Sequence, residues 1–279
     1  MDRYVVAGNP VEHSQSPFIH TEFARQTGQA MEYGRLQWPL DGFAESVRAL
    51  AHSGAKGCNI TVPFKFEAVR HGQRLTARAA LAQAANVLRF DAEGWLADNT
   101  DGVGLVADIE RNAGVALAAT RVLLIGAGGA AAGVLGPLLA ARPLEIVVAN
   151  RTLDKARALV ERHRPVAGAT TLRASTLGAC GAAFEVVINA SASSLQGAAV
   201  PVSPDVLAPG ALALDMMYGA PAQPFLDWAT AHGAHGRDGL GMLVEQAAAA
   251  FELWRGVRPD TAPVLQTLRL RMGQTQATR

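Results

Sequence analysis

Residues 121–141 read RVLLIGAGGAAAGVLGPLLAA, and this stretch decides the fold. A β-branched start meets a glycine cluster and then an alanine-rich run. No charge appears from Val122 to Ala141, a length that could span a bilayer. Gly126, Gly128, Gly129, Gly133, Gly136 and Pro137 break that run. It therefore reads as a buried strand, a tight turn and a buried helix rather than a membrane span. Gly126-Ala127-Gly128-Gly129-Ala130-Ala131 between strand and helix is the setting that binds a dinucleotide pyrophosphate. The first glycine makes the turn. The second lets backbone N–H groups approach phosphates, and the small third residue lets helix and strand pack closely. Close packing of an alanine-rich helix is the purely structural alternative.

The next strand, Ile146–Asn150, bears on which dinucleotide. An NAD site wants a carboxylate at the strand's C-terminal end to accept from the ribose 2′-OH. Here that end reads Asn150-Arg151-Thr152, with Lys155 one helical turn on, and Glu145 lies at the other end. A guanidinium fork, a hydroxyl and an ammonium suit a 2′-phosphate. The expected cofactor is NADP; ordinary solvated surface charges are the plain alternative.

Further out, strands and helices alternate along the whole chain. Tyr4–Ala7, Tyr33–Trp38 and Gly57–Val62 read as strands, and Val87–Asp91 with Trp95–Asp98 as a hairpin around Gly94. Ser16 as N-cap and Pro17 as first helical residue open a helix that stops at Gly28. Asp41 is expected to cap a second helix with Phe43, Val47, Leu50 and Ala51 on one face, ending at Gly54. After residues 121–141 come helix Leu153–His163 and strands Val186–Ala190 and Leu212–Met216. A βαβ series of this kind predicts a parallel sheet with right-handed crossovers. Leu240–Arg255 and Thr261–Met272 are helical and lack strand partners of their own. The fold class is α/β, and this helical tail must pack elsewhere. No internal repeat or low-complexity tract appears.

Composition sets outer limits. The chain has 279 residues, 49% hydrophobic and 18% charged, so it is not disordered. Lys+Arg number 25 against Asp+Glu 24, a net charge of +1, which asks for neither nucleic acid nor an anionic membrane. The two cysteines, Cys58 and Cys180, form no CxxC pair. With an N-terminal apolar run too short for a signal peptide, they point to a reduced, cytoplasmic setting.

Three polar clusters carry candidate chemistry. Ser14 and Ser16 sit at a helix N-terminus. A hydroxyl that accepts from backbone N–H keeps its own O–H to donate, so the two can hold a carboxylate; plain capping is the alternative. In Asn59-Ile-Thr61-Val-Pro63-Phe-Lys65, Asn59 and Thr61 share one side of a strand. Lys65 lands at the start of the next helix, where the dipole disfavours a second positive charge. Such a lysine is a fair general acid/base, or else a surface lysine. Asp98-Asn99-Thr100-Asp101-Gly102 reads as a helix cap that also offers a carboxylate. If Asp101 lay beside Lys65, it would keep the ammonium oriented for proton transfer. No metal is expected: His232 and His235 lie close in sequence without a third ligand.

SQSP, NITVPFK, AAN, DNTDG, GAGGAA, NRT, INAS, DMMY and DGLGMLVEQ, in this order and spacing, resemble the shikimate dehydrogenase family over almost the whole chain. The resemblance implies two α/β domains with the active site in the cleft: an N-terminal α/β substrate domain over 1–102, a Rossmann-like NADP-binding domain over 103–238, and C-terminal helices over 239–279 that pack on the first domain. It also implies reversible NADPH-dependent reduction of 3-dehydroshikimate to shikimate in aromatic amino-acid biosynthesis. It implies Lys65 as the catalytic acid/base, with Asp101 assisting. Ser14 and Ser16 would hold the substrate carboxylate, and Thr61, Asn86, Tyr218 and Gln246 would make the other substrate contacts. Gly126, Ala127, Gly128, Gly129 and Ala130 would bind phosphates. Asn150, Arg151, Thr152 and Lys155 would clamp the 2′-phosphate, and Met216 and Gly239 would line the nicotinamide side. The partner is the small-molecule substrate; the chain would be a monomer or homodimer.

The chain departs from the family pattern in places. Asn189–Leu195 lacks the usual glycine and Thr-Ser order, Val87 follows Asn86 where threonine is common, and Gln223 stands where a threonine usually precedes Pro-Phe-Leu. Three other functions stay open: a quinate/shikimate dehydrogenase paralogue, an NADP-dependent methylene-tetrahydrofolate dehydrogenase, and a non-catalytic NADP-binding sensor.

Overall fold

The computed structural model describes residues 1–191 and 200–277. The chain forms two compact units. One comprises Met1–Gly104 with Val244–Arg279, the other Leu105–Leu243.

In the first unit, strands β1 (Asp2–Gly8), β2 (Met31–Gln37), β3 (Gly57–Ile60), β4 (Arg74–Leu75), β5 (Val87–Arg89) and β6 (Leu96–Asp98) form a sheet in the order β2-β1-β3-β5-β6-β4. β1 runs parallel to β2 and β3, and β5 antiparallel to β3 and β6. Helices α1 (Ser16–Thr27), α2 (Phe43–His52), α3 (Lys65–His71) and α4 (Ala77–Ala82) connect them. α5 (Asp101–Ala107) follows β6 and ends in a π turn, Asp108–Asn112. One side of the sheet carries Val5, Phe43, Val47, Leu50, Cys58, Phe64 and Leu88 in a dry cluster. On the other, α1 packs an aromatic group with the later helix α9 (Leu240–Arg255): His20 lies near Phe23, Tyr33, Phe251 and Trp254. α10 (Ala262–Ala277) closes the chain.

The second unit holds β7 (Arg121–Ile125), α6 (Gly129–Ala140), β8 (Glu145–Ala149), α7 (Leu153–His163), β9 (Thr171–Ser175), β10 (Phe184–Asn189), β11 (Leu207–Asp215), α8 (Gln223–Ala231) and β12 (His235–Arg237). Its sheet is parallel throughout, in the order β12-β11-β10-β7-β8-β9. Alternate residues serve opposite faces, as the period of a strand requires. Val122, Leu124, Ile146 and Val148 join the core under α6 and α7. Leu123, Ile125, Val147 and Ala149 join the core under α8. The strand order reverses between β7 and β10, which in such sheets marks the ligand crevice. No helix among the described residues is long and apolar enough to cross a membrane; the uncharged run is β7, a turn and the twelve-residue α6.

Two expected caps differ. Gln15, not Ser16, is the N-cap of α1, and Ser16 is already helical. Pro17 fits at the second helical position because its missing N–H is one the helix leaves unpaired anyway. Gly42, not Asp41, is the N-cap of α2. The turn closed by Gly42 N–H to Pro39 O starts that helix one residue later. β4, α4, β9, α8 and β12 escaped the sequence reading. β9 carries Arg173 mid-strand and β4 has two residues, so neither shows an apolar period.

Candidate active site

Thirty-six positions separate Lys65 from Asp101, yet Lys65 Nζ donates to Asp101 Oδ2 at 2.6 Å. Local sequence places each. Phe64 is fully buried and is the N-cap residue of α3, so Lys65 is the first helical residue. Asp101 opens α5, where a carboxylate is favoured by the free N–H groups. The lysine side chain is 18% exposed and the aspartate 7%. The pair is therefore sheltered, though neither side chain is fully buried.

Polar side chains fix the carboxylate from behind. Asn86 Nδ2 donates to Asp101 Oδ1 at 2.8 Å, and also lies 3.1 Å from Gln246 Oε1 and 3.0 Å from Thr100 Oγ1. Asn86 Oδ1 accepts from Thr100 N–H at 2.8 Å. The network extends toward the serines. Tyr33 donates its hydroxyl to Asn59 Oδ1 at 2.6 Å, and Asn59 Nδ2 donates to Asn86 O at 3.3 Å. Burial raises the Tyr33 phenol well above its ordinary value, and the Ser16 side chain opposes that shift. Ser14 Oγ accepts from Ser16 N–H at 3.3 Å, which leaves its own proton to donate. Arg35 holds the Ser14 carbonyl with two N–H groups, at 2.6 and 3.0 Å.

Thr61 is tied to β1 through its N–H on Ala7 O. A Cβ at Gly8 would overlap the Thr61 methyl, so glycine is required opposite it. Thus Ser14, Ser16, Thr61, Lys65, Asn86, Asp101 and Gln246 all belong to the first unit. Tyr218 does not; it stands in the second unit, two residues after Met216. Asn59, Tyr33 and Asp98 are additional members of the network. Asn59 and Asp98 lie inside quoted motifs, but nothing in the sequence around Tyr33 singles it out.

In the second unit the crevice at the strand reversal is lined by the glycine turn. Gly126 has φ +113°, and a Cβ there would lie 2.9 Å from Ala190 O at the end of β10. Among the described residues, nothing lies within 4 Å of a Cβ at Gly128 and no side chain caps α6. The first N–H groups of a twelve-residue helix therefore face a cradle without an anion of the protein's own, as a pyrophosphate needs. β8 ends at Ala149. Beyond it, Asn150 Nδ2 donates to Thr152 O at 2.9 Å and pins the turn. Arg151, Thr152 and Lys155 are exposed. Glu145 is engaged by Arg121 and Arg173 at 2.9 and 2.8 Å, so it cannot serve a ribose. These donors fit a dinucleotide with a 2′-phosphate. Across the crevice, Gly239 N–H donates to Met217 O at 2.8 Å, and a Cβ at Gly239 would overlap Met216 O. Asp215 accepts from Asn189 Nδ2 and Met217 N–H at 2.9 and 2.8 Å and holds that turn. The altered loop Asn189–Leu195 lies outside the described residues beyond Ser191.

Three family models match in chain order. They are a shikimate dehydrogenase substrate binding domain over residues 6–88, a shikimate/quinate 5-dehydrogenase over 108–197, and a shikimate 5'-dehydrogenase C-terminal domain over 239–269. The shikimate dehydrogenase (NADP(+)) of Methylibium petroleiphilum is 64% identical over 276 residues, covering 96% of this chain and 94% of the relative. The chain belongs to the shikimate dehydrogenase family. An Acidovorax relative with the same description is 60% identical over 96% of both chains. The crystal structure of shikimate 5-dehydrogenase from Thermus thermophilus, in complex with NADP(H) and shikimate, superposes with a TM-score of 0.85 at 29% identity, covering 98% of this chain and 100% of that one.

Proposed function

We infer that this chain catalyses the reversible, NADP-dependent interconversion of 3-dehydroshikimate and shikimate. The observation that carries the reading is the sheltered Lys65–Asp101 contact at 2.6 Å in a chain of this family. The cofactor supplies the hydride that reduces the ketone carbon. Lys65 donates the proton that the developing alkoxide requires, forming the alcohol and leaving a neutral amine. Asp101 keeps the amine aimed through Oδ2, while Asn86 fixes the other oxygen. The partial exposure of Lys65 lets solvent restore the proton. In the oxidative direction the same amine accepts it.

Ser14 and Ser16 hold the substrate carboxylate; Ser14 has a hydroxyl proton to give once its oxygen has taken the Ser16 N–H. Thr61, Asn86, Gln246 and Tyr218 make the other substrate contacts. Gly126–Ala130 and the N-terminus of α6 cradle the pyrophosphate. Asn150, Arg151, Thr152 and Lys155 take the 2′-phosphate, and Met216 with Gly239 flank the nicotinamide. Directional hydroxyl contacts of this kind reject analogues lacking a hydroxyl, because buried donors are then left unpaired.

A kinetic panel with shikimate and quinate, each with NADP and NAD, tests the reading by the absorbance of the reduced nicotinamide. Turnover highest with shikimate and NADP is expected. Preference for quinate would reassign the substrate, and NADP binding without turnover of either would leave only a binding role.

A further inference from the structure

The carboxylate of Asp98 is fully buried, lies three residues before Asp101, and has no part in the proton transfer described above. Four donors converge on it. Arg78 gives Nε to Oδ1 at 2.7 Å and Nη2 to Oδ2; Thr76 gives its hydroxyl to Oδ1 at 2.5 Å, and Asn99 its N–H at 2.7 Å. Thr76 is also the N-cap of α4, accepting from Ala79 N–H. The ion pair therefore bolts α4 to the end of β6.

The consequence runs forward along the chain. With its N–H held by Asp98, Asn99 turns its side chain both ways. Nδ2 donates to Ala84 O at 2.9 Å, and Oδ1 accepts from Asp101 N–H at 3.1 Å. The Asp98 carbonyl accepts from Asn86 N–H at 3.0 Å, and Ala85 N–H donates to Lys65 O at 2.8 Å. Asp98 thus ties the backbone leading to Asp101 to that of Asn86, whose neighbour Ala85 holds the Lys65 carbonyl. An unpaired buried carboxylate would be costly, so its retention needs the Arg78 fork.

We propose that Asp98 and Arg78 are a positioning pair that holds the Asp101 carboxylate on the Lys65 amine. The proposal rests on the reading of Lys65 as acid/base. A small displacement of Asp101 leaves cofactor binding intact and slows only the step that uses the oriented amine.

The test places Asp98→Asn and Arg78→Lys separately in the full-length protein and in its Lys65→Ala variant, and measures kcat and the KM for NADPH. In the Lys65 protein each is expected to lower kcat roughly tenfold with an unchanged KM for NADPH. In the Lys65→Ala background each should leave the residual rate nearly unchanged, because the arrangement it supports is already gone. An equal loss in both backgrounds, or no loss of kcat in either, overturns the proposal. Arg78 is 36% exposed against 0% for Asp98, so Arg78→Lys keeps the comparison available if Asp98→Asn fails to fold. If Lys65→Ala alone leaves kcat intact, the acid/base reading fails instead, and the two failures are distinct.

Discussion

Lys65 has a close ionic partner, and its side chain is not fully buried, a combination that suits a proton donor. Lys65→Ala should lower kcat by roughly 10²–10⁴-fold with little change in NADP affinity. A rise confined to KM would make Lys65 a binding residue. Arg151 is exposed, and none of its hydrogen-bonding groups is paired with another group among the described residues. Arg151→Ala should weaken NADP roughly tenfold to a hundredfold and leave NAD unchanged; calorimetric titration with both cofactors decides it. His20 makes a different kind of prediction. Its ring is fully buried and stacks 4.2 Å from Tyr33, and among the described residues neither nitrogen has a partner in good hydrogen-bond geometry. Burial pushes its pKa down from 6.5 to about 3, and Asn59 offsets only part of that. Between those values the unfolded chain binds a proton that the folded chain refuses. The contribution to stability is therefore complete above pH 6.5, shrinks as pH falls, and is exhausted near pH 3. Unfolding free energies from urea titrations at about pH 7 and about pH 4.5 should differ by roughly 2–3 kcal/mol less in His20→Phe than in the parent. An unchanged difference would mean that the ring is not buried neutral.

At the scale of elements, the turn from β7 into α6 carries most information per residue. Gly126 is needed twice, for its φ of +113° and for the approach of Ala190 O. Gly126→Ala should cost about 1–2 kcal/mol of stability from the backbone alone. It should also weaken NADP, read by the denaturant midpoint and a cofactor titration; wild-type values of both would refute the close approach. This turn was legible in the sequence because glycine, strand and helix signals coincide within ten residues or so. The helix starts at Ser16 and Phe43 were legible only to within a residue. Ser14, Ser16, Asp41 and Gly42 are all acceptable near a helix start, and the turn before each helix chooses among them. Asp98 shows the opposite limit. DNTDG reads as a cap, but the carboxylate's partner, Arg78, lies twenty residues back on α4, an element whose short alanine-rich sequence gives little period to detect.

For the molecule as a whole, the discontinuity of the first unit has a consequence. Phe251 is fully buried among its aromatics, Trp254 Nε1 donates to Leu88 O at 3.1 Å, and Gln246 joins the Asn86 network. The first unit therefore lacks part of its core until residues 244–279 arrive, whereas the second is one unbroken segment, 105–243. A fragment of residues 105–243 should fold and bind NADP within about tenfold of the full chain, since it holds its own core and the whole phosphate cradle. A chain ending at Leu243 should keep NADP binding and lose shikimate binding. Loss of both activities together would mean that the units do not fold independently.

The chain's order of motifs determined the family, the parallel sheet and the cofactor class. Each depends on neighbours in sequence: glycine spacing, strand period, the charge at a strand end. What tertiary structure alone decided was which distant groups meet. Lys65 reaches Asp101, Asn86 reaches Gln246 across 160 residues, and Arg78 reaches Asp98. Such contacts are set by the order of β3, β5 and β6 in the sheet and by where α9 packs. No local pattern of residues encodes them, because burial and sheet pairing act between segments rather than along one.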